Sequence, residues 1–188
     1  NFKLSEGQRI LVVCCGEAEE VFEMRKIIGD KGSIVAIDIN SDVIQHAKNL
    51  NEKKGYKNIE FLHADANEFY PEIKFDRICC LFGIHYMDNY YNTLLNWKKM
   101  LASDGLIGVA TFLHSHDNEV IKEIYNFTQM EFPEVANVNK SKKSKGLNNF
   151  QKDSWRNIQT FLFEDTLCFP DTITYWKVVC KNQFFKKL

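Results

Sequence analysis

The chain has 188 residues, 45% hydrophobic and 26% charged, with 3 Pro and 9 Gly, a composition that suits one folded domain and excludes a disordered polymer. Its formal net charge of -1 removes the overall electrostatic case for DNA, RNA or an anionic membrane, because those partners need a phosphate-neutralising surface. No apolar run approaches the roughly 20 residues that span a bilayer, and the opening NFKLSEGQRI has no signal-peptide apolar region, so a cytoplasmic chain with no membrane and no nucleic-acid partner is expected.

From residue 9 to 112, apolar runs rich in β-branched residues alternate with helically periodic segments, the pattern of βαβ units around a parallel sheet. The first strand is RILVVCC; the helix after Gly16 carries Val21, Met24 and Ile28 on one face and stops near Gly29. SIVAID is the second strand. Ser41 is expected to cap the next helix, whose stripe is Val43, Ala47 and Leu50 and which ends towards Gly55. NIEFLHA and FDRICCLFG are the third and fourth strands. A helix after Asp88 carries Tyr91, Leu94, Leu95 and Leu101, and a turn at Ser103, Asp104 and Gly105 leads to the fifth strand, LIGVATF.

Beyond residue 112 the pattern changes. A helix near 117–130 has Val120, Ile121, Ile124, Tyr125 and Thr128 on one side, and residues 133–149 have no periodicity, so about 113–160 reads as a lid or acceptor-site insertion. FLFEDTLCF and ITYWKVVCKN flank Pro170 and Asp171 as two final antiparallel strands. The expectation is a single domain, 1–188, with a doubly wound mixed seven-stranded α/β sheet in the order 3-2-1-4-5-7-6. An amino-terminal helix or flanking domain is expected to lie outside this sequence.

The six cysteines, at 14, 15, 79, 80, 168 and 180, contain no pair at the two-residue gap of zinc sites. Reduced core thiols and no metal are expected. The sharper alternative has Cys15 and Cys80 meeting on neighbouring strands to bind a soft metal.

A nucleoside with a sulfonium tail needs a tight turn after the first strand, a carboxylate for its ribose and a slot for its adenine. Gly16 permits close approach at the turn, and Asp38 ends the second strand at the spacing that reaches a ribose diol. Asp65 and the amide of Ala66 suit the adenine edge, with Ile39 and Phe69 bordering the ring. Each residue also has a plain structural reading, as turn glycine, helix-cap partner or solvated loop residue. Acidic residues ending two successive strands beside one turn favour the functional reading.

In order and spacing, RILVVCCGEAEE, GDKGSIVAIDIN, NIEFLHADANEF, FDRICCLFGIHYM and WKKMLASDGLIGVATF resemble the motifs of class I S-adenosylmethionine-dependent methyltransferases, within them the ubiquinone/menaquinone C-methyltransferase-like group. The resemblance covers about residues 8–112. It implies a Rossmann-like methyltransferase fold, S-adenosyl-L-methionine as cofactor and methyl transfer to a small-molecule acceptor. It places Cys14, Cys15, Gly16 and Glu17 round the donor's methionine end, Asp38 and Ile39 at the ribose and adenine, Asp65 and Ala66 at the adenine, and Leu81 and Phe82 in the loop that meets donor and acceptor. The family has an acidic residue where Val12 stands and glycines where Cys14 and Ala18 stand; Glu17 or Glu19 then becomes the partner for the donor's ammonium group.

His85 is the candidate general base, since imidazole accepts a proton near neutrality, and Tyr86 shapes the acceptor pocket. For both, the plain alternatives are backbone hydrogen bonding and core packing. Tyr90, Tyr125 and Trp155 are further aromatic candidates; His114, His116 and Asp117 follow the fifth strand as exposed polar loop rather than metal ligands. Two other readings stand beside the enzyme. One is a methyltransferase-like binding or scaffold domain without donor binding. The other is a nicotinamide-dependent oxidoreductase, disfavoured because three of the four residues after Gly16 are acidic and would repel a pyrophosphate.

Overall fold

Strands buried on both faces of a parallel sheet read as continuous apolar runs, and such runs form the central strands of the described sheet. The computed structural model describes residues 3–87 and 89–111, all within the first of the two units, Asn1–Ser144 and Lys145–Leu188, into which the chain divides. In order come β1 (Arg9–Val13), α1 (Glu19–Ile28), β2 (Ser33–Asp38), α2 (Ser41–Lys54), β3 (Ile59–His63), β4 (Phe75–Leu81), a 3-10 turn (Ile84–Tyr86), α3 (Tyr90–Lys99) and β5 (Leu101–Ala110). The strands pair in parallel in the order β3-β2-β1-β4-β5. This matches the first five positions expected from sequence; the two final strands, the helix near 117–130 and the lid at about 113–160 lie outside the described residues.

β1 is the spine. Ile10, Leu11, Val12 and Val13 are fully buried, each contributing roughly 1.5–3 kcal/mol by leaving water. In-register pairing sets Val13 beside Ile37 of β2 on one side and Cys80 of β4 on the other, so three strand ends finish at one level.

The helices seal this sheet with faces that differ in detail from the sequence expectation. α1 buries Val21, Phe22, Arg25 and Ile28, and Met24 is only half-buried. Arg25 is accommodated because its guanidinium pairs with Asp30, bonds the Asn58 carboxamide and lies 4.8 Å from the centre of the Tyr56 ring. The Asn58 Nδ2 donates to the carbonyls of Gly29 (3.0 Å) and Gly32 (2.6 Å), tying the end of α1 to the start of β3. α2 is capped by Asn40, not Ser41: its side chain accepts from the Asp42 N–H at 2.9 Å, and Ser41 is already helical. Its buried stripe is Ile44 and Ala47, displacing Val43, and it ends at Gly55 as expected.

Leu101 belongs to β5 and not to α3, whose core residues are Leu94 and Trp97. Ser103, Asp104 and Gly105 do not form a turn ahead of the strand. They lie inside β5 as an irregularity, where Phe75 pairs with Leu101 but Arg77 pairs with Leu106.

Candidate functional site

The site is built where β1 and β2 end. After Val13 the backbone takes left-handed conformations at Cys14 (φ 58°), Gly16 (φ 49°) and Ala18 (φ 67°), winding the chain from strand to helix within five residues. Only glycine adopts this region without steric cost. A Cβ built on Gly16 would meet nothing within 4 Å, so the turn leaves open space beside this residue. The Gly16 N–H donates to Asp38 Oδ2 at 3.0 Å, and the Asn40 N–H donates to Asp38 Oδ1 at 2.9 Å. The Asp38 carboxylate is thus fixed from both sides at the mouth of this space.

The adenine candidates lie one strand further out. Ile39 is 65% exposed, an apolar side chain held clear of the core, and its carbonyl meets His63 Nε2 at 3.0 Å. The Ala64 N–H donates to the Asp38 carbonyl at 3.0 Å, binding the end of β3 to the end of β2. Asp65 Oδ1 accepts from both the backbone and the carboxamide of Asn67, closing an Asx turn. Ala66 is buried, its carbonyl accepting from the Trp97 indole at 3.2 Å; Phe69 is half-buried.

On the other side of the turn stands the end of β4. Cys14, not Cys15, meets Cys80: the interaction of the two thiols lowers Cys80 and, together with burial, raises Cys14. Cys15 and Cys79 are pushed up to about 12, chiefly by burial, and behave as core filler. Among the described residues no three His, Cys, Asp or Glu side chains group as a metal site. Gly83 packs against the thiol pair, and beyond it Phe82 (φ 56°, 49% exposed) and Tyr86 (50% exposed) stand out of the surface. The His85 and Tyr86 rings lie 4.2 Å apart, and partial burial pushes the His85 imidazole below its usual value, favouring the neutral ring.

The structure therefore brings Cys14, Gly16, Asp38 and Ile39 to one end of the sheet, with Leu81 ending the adjoining β4 and Phe82, His85 and Tyr86 on the loop after it. Glu17 and Glu19 are exposed, whereas Glu20 is half-buried and its carboxyl raised, mainly by burial. Val12 is sealed in the core. His114, His116, Asp117, Tyr125 and Trp155 lie outside the described residues, as does Asp88. Three contributors were not singled out from sequence. Asn40 could have been read from the cap preference of Asn ahead of Ser-Asp; Trp97 and Gly83 act through close contacts that no local pattern announces.

A parallel sheet in this order, with an acidic residue closing β2 beside a left-handed glycine turn, defines the Rossmann-like methyltransferase fold. A family model described as "Methyltransferase domain" matches residues 4–165, and the chain belongs to that family. Among curated proteins it is 26% identical over 105 residues to demethylmenaquinone methyltransferase of Bacillus pumilus, covering 55% of this chain and 45% of that protein. It is 29% identical over 112 residues to the ubiquinone/menaquinone biosynthesis C-methyltransferase UbiE of Coxiella burnetii, covering 58% and 45%. The chain spans less than half the length of these relatives. Among solved structures, an S-adenosylmethionine-dependent methyltransferase from Aquifex aeolicus superposes with a TM-score of 0.57 at 25% identity, covering 62% of this chain and 63% of that one. Coclaurine N-methyltransferase, solved with N-methylheliamine and S-adenosylhomocysteine, superposes at 0.52 and 19% identity over 55% of this chain and 30% of its own.

Proposed function

We propose that this chain transfers a methyl group from S-adenosyl-L-methionine to a small organic acceptor. The observation that carries the reading is the Asp38 carboxylate. A carboxylate has about four acceptor positions. The N–H groups of Gly16 and Asn40 use one on each oxygen, which leaves a pre-oriented acceptor on each for the two ribose hydroxyls. The open space at Gly16 suits a ligand that approaches the backbone closely, and the exposed Ile39 suits one face of an adenine ring.

Bound there, the donor would supply an activated methyl sulfonium, so the protein's task is alignment and exclusion of water. Asp38 would hold the ribose, Asp65 and Ala66 the adenine edge, and Cys14, Cys15, Gly16 and Glu17 would line the methionine end. Leu81, Phe82 and Tyr86 would form the apolar wall towards the acceptor. His85, whose imidazole partial desolvation shifts towards the neutral form, would take a proton from an acceptor that must lose one. Small ring compounds such as phenols and quinols suit the exposed aromatic pair Phe82 and Tyr86.

A second reading, a binding domain without donor chemistry, is favoured by Val12, a buried valine where the family has an acidic residue. Incubation with isotopically labelled S-adenosylmethionine and a panel of phenols, quinols and amines separates the two. Label in an acceptor that disappears in Asp38→Ala supports the enzyme; no label in any acceptor, with no S-adenosylhomocysteine formed, supports the binding domain.

A further inference from the structure

The reading above gives Cys14 a place at the donor turn but makes no use of its thiol chemistry or of Cys80 beside it. Cys14 immediately follows Val13, whose register partner is Cys80. One step past a paired position, parallel strands leave two Cα atoms roughly 6 Å apart, inside the range of roughly 4.4–6.8 Å that disulfides span. The side chains converge. A Cβ built on Gly83 would lie 2.8 Å from the Cys14 sulfur and 3.1 Å from the Cys80 sulfur, so both sulfurs border one point, and that point is vacant only because residue 83 is glycine. Gly83 has an ordinary backbone (φ -110°), so the need for glycine there is steric and not conformational. Both thiols are free, Cys14 half-buried and Cys80 fully buried.

We propose that Cys14 and Cys80 form an oxidation site, at which a hydroperoxide converts the pair into a reversible disulfide that fastens the donor turn to the end of β4. The Cys14 sulfur, the one within reach of solvent, attacks the hydroperoxide; the O–O bond breaks, an alcohol or water leaves with the thiol proton, and Cys14 becomes a sulfenic acid. The Cys80 sulfur then attacks the Cys14 sulfur, the S–O bond breaks, and the departing hydroxide takes the Cys80 proton as water. Two thiols and one hydroperoxide give one disulfide, one alcohol and one water.

The functional consequence rests on the donor reading. The disulfide ties Cys14 to β4 and so restrains the turn that carries the Gly16–Asp38 bond, which the donor must enter. Donor affinity should fall at least tenfold.

The test uses the full chain, reduced, treated with hydrogen peroxide, then digested without reductant for mass spectrometry. The expected product is a peptide pair joined at Cys14 and Cys80, reversed by dithiothreitol, absent from Cys14→Ser and Cys80→Ser and retained in Cys79→Ser. Linkage through any other cysteine, or conversion of Cys14 to sulfinic acid with no linkage, would overturn the proposal. Calorimetry with S-adenosylhomocysteine on reduced and oxidised protein reads the consequence. Equal affinity in the two states would overturn closure of the site; a reduced chain that binds none would overturn the donor reading, while the disulfide, read by mass alone, would stand.

Discussion

The Gly16 N–H donates to Asp38 Oδ2 at 3.0 Å across 22 residues of sequence, joining the turn after β1 to the end of β2. This bond makes Asp38 a structural residue as well as a ribose candidate. Asp38→Ala removes the acceptor of two backbone N–H groups, so it should cost roughly 1–3 kcal/mol of stability. Donor affinity should fall by a similar amount, because hydrogen bonds to a charged group are lost. Urea unfolding and calorimetry on the same preparation check both; loss of stability with unchanged affinity would remove Asp38 from the donor site.

Left-handed backbone at Ala18 explains why glycine suits that position in related sequences, and it leads to a paired comparison with Ala47. Both alanines are buried, but Ala18 has φ 67° while Ala47 lies inside α2. Ala18→Gly relieves about 1 kcal/mol of strain that offsets the lost methyl, leaving stability nearly unchanged. Ala47→Gly loses both methyl burial and helix propensity, about 1.5–2 kcal/mol together. Equal melting-temperature losses in the two variants would argue against the left-handed turn. The positive φ values at Cys14 and Ala18 make the backbone contribution of glycine favourable at both positions.

Gly83→Ala should be destabilising by roughly 1–3 kcal/mol, since its Cβ would sit 2.5 Å from the Cys14 Cβ. Adding Cys14→Gly should restore much of that loss, because the obstructing side chain is gone and residue 14 keeps its positive φ without strain. A double variant whose loss equals the sum of the singles would show that the two residues do not touch.

His85 supplies a pH test. Burial lowers its pKa, so the unfolded chain takes up a proton near the ordinary value of 6.5 that the folded chain refuses until lower pH. Folding stability should therefore decline as pH falls through 6.5 towards the folded pKa, and His85→Gln should flatten that decline. An NMR titration placing the His85 ring at or above 6.5 would contradict the burial and weaken its role as a base.

The sheet was legible because parallel strands advertise themselves as unbroken β-branched runs, RILVV and SIVAID, and because right-handed crossovers leave one economical order for β1 to β5. Asp38 and Gly16 were legible as strand-end residues at a telling spacing. What escaped was set by contact geometry across the sheet. Which cysteine meets Cys80 depends on the register of Val13, and a one-residue difference moves the partner from Cys15 to Cys14. The Ser103-Asp104-Gly105 segment has turn chemistry, yet pairing with β4 absorbs it as an irregularity within β5. Trp97 precedes two lysines near the end of α3 and lies outside the expected apolar stripe, yet it is buried with its indole on the Ala66 carbonyl.

The most direct test of donor binding is calorimetric titration of the reduced chain with S-adenosylhomocysteine, alongside Asp38→Ala. The site described here should bind one equivalent, with affinity reduced about 5- to 150-fold in the variant, equivalent to roughly 1–3 kcal/mol. A folded, reduced chain that takes up no S-adenosylhomocysteine, or binds it equally well without the Asp38 carboxylate, would contradict the account.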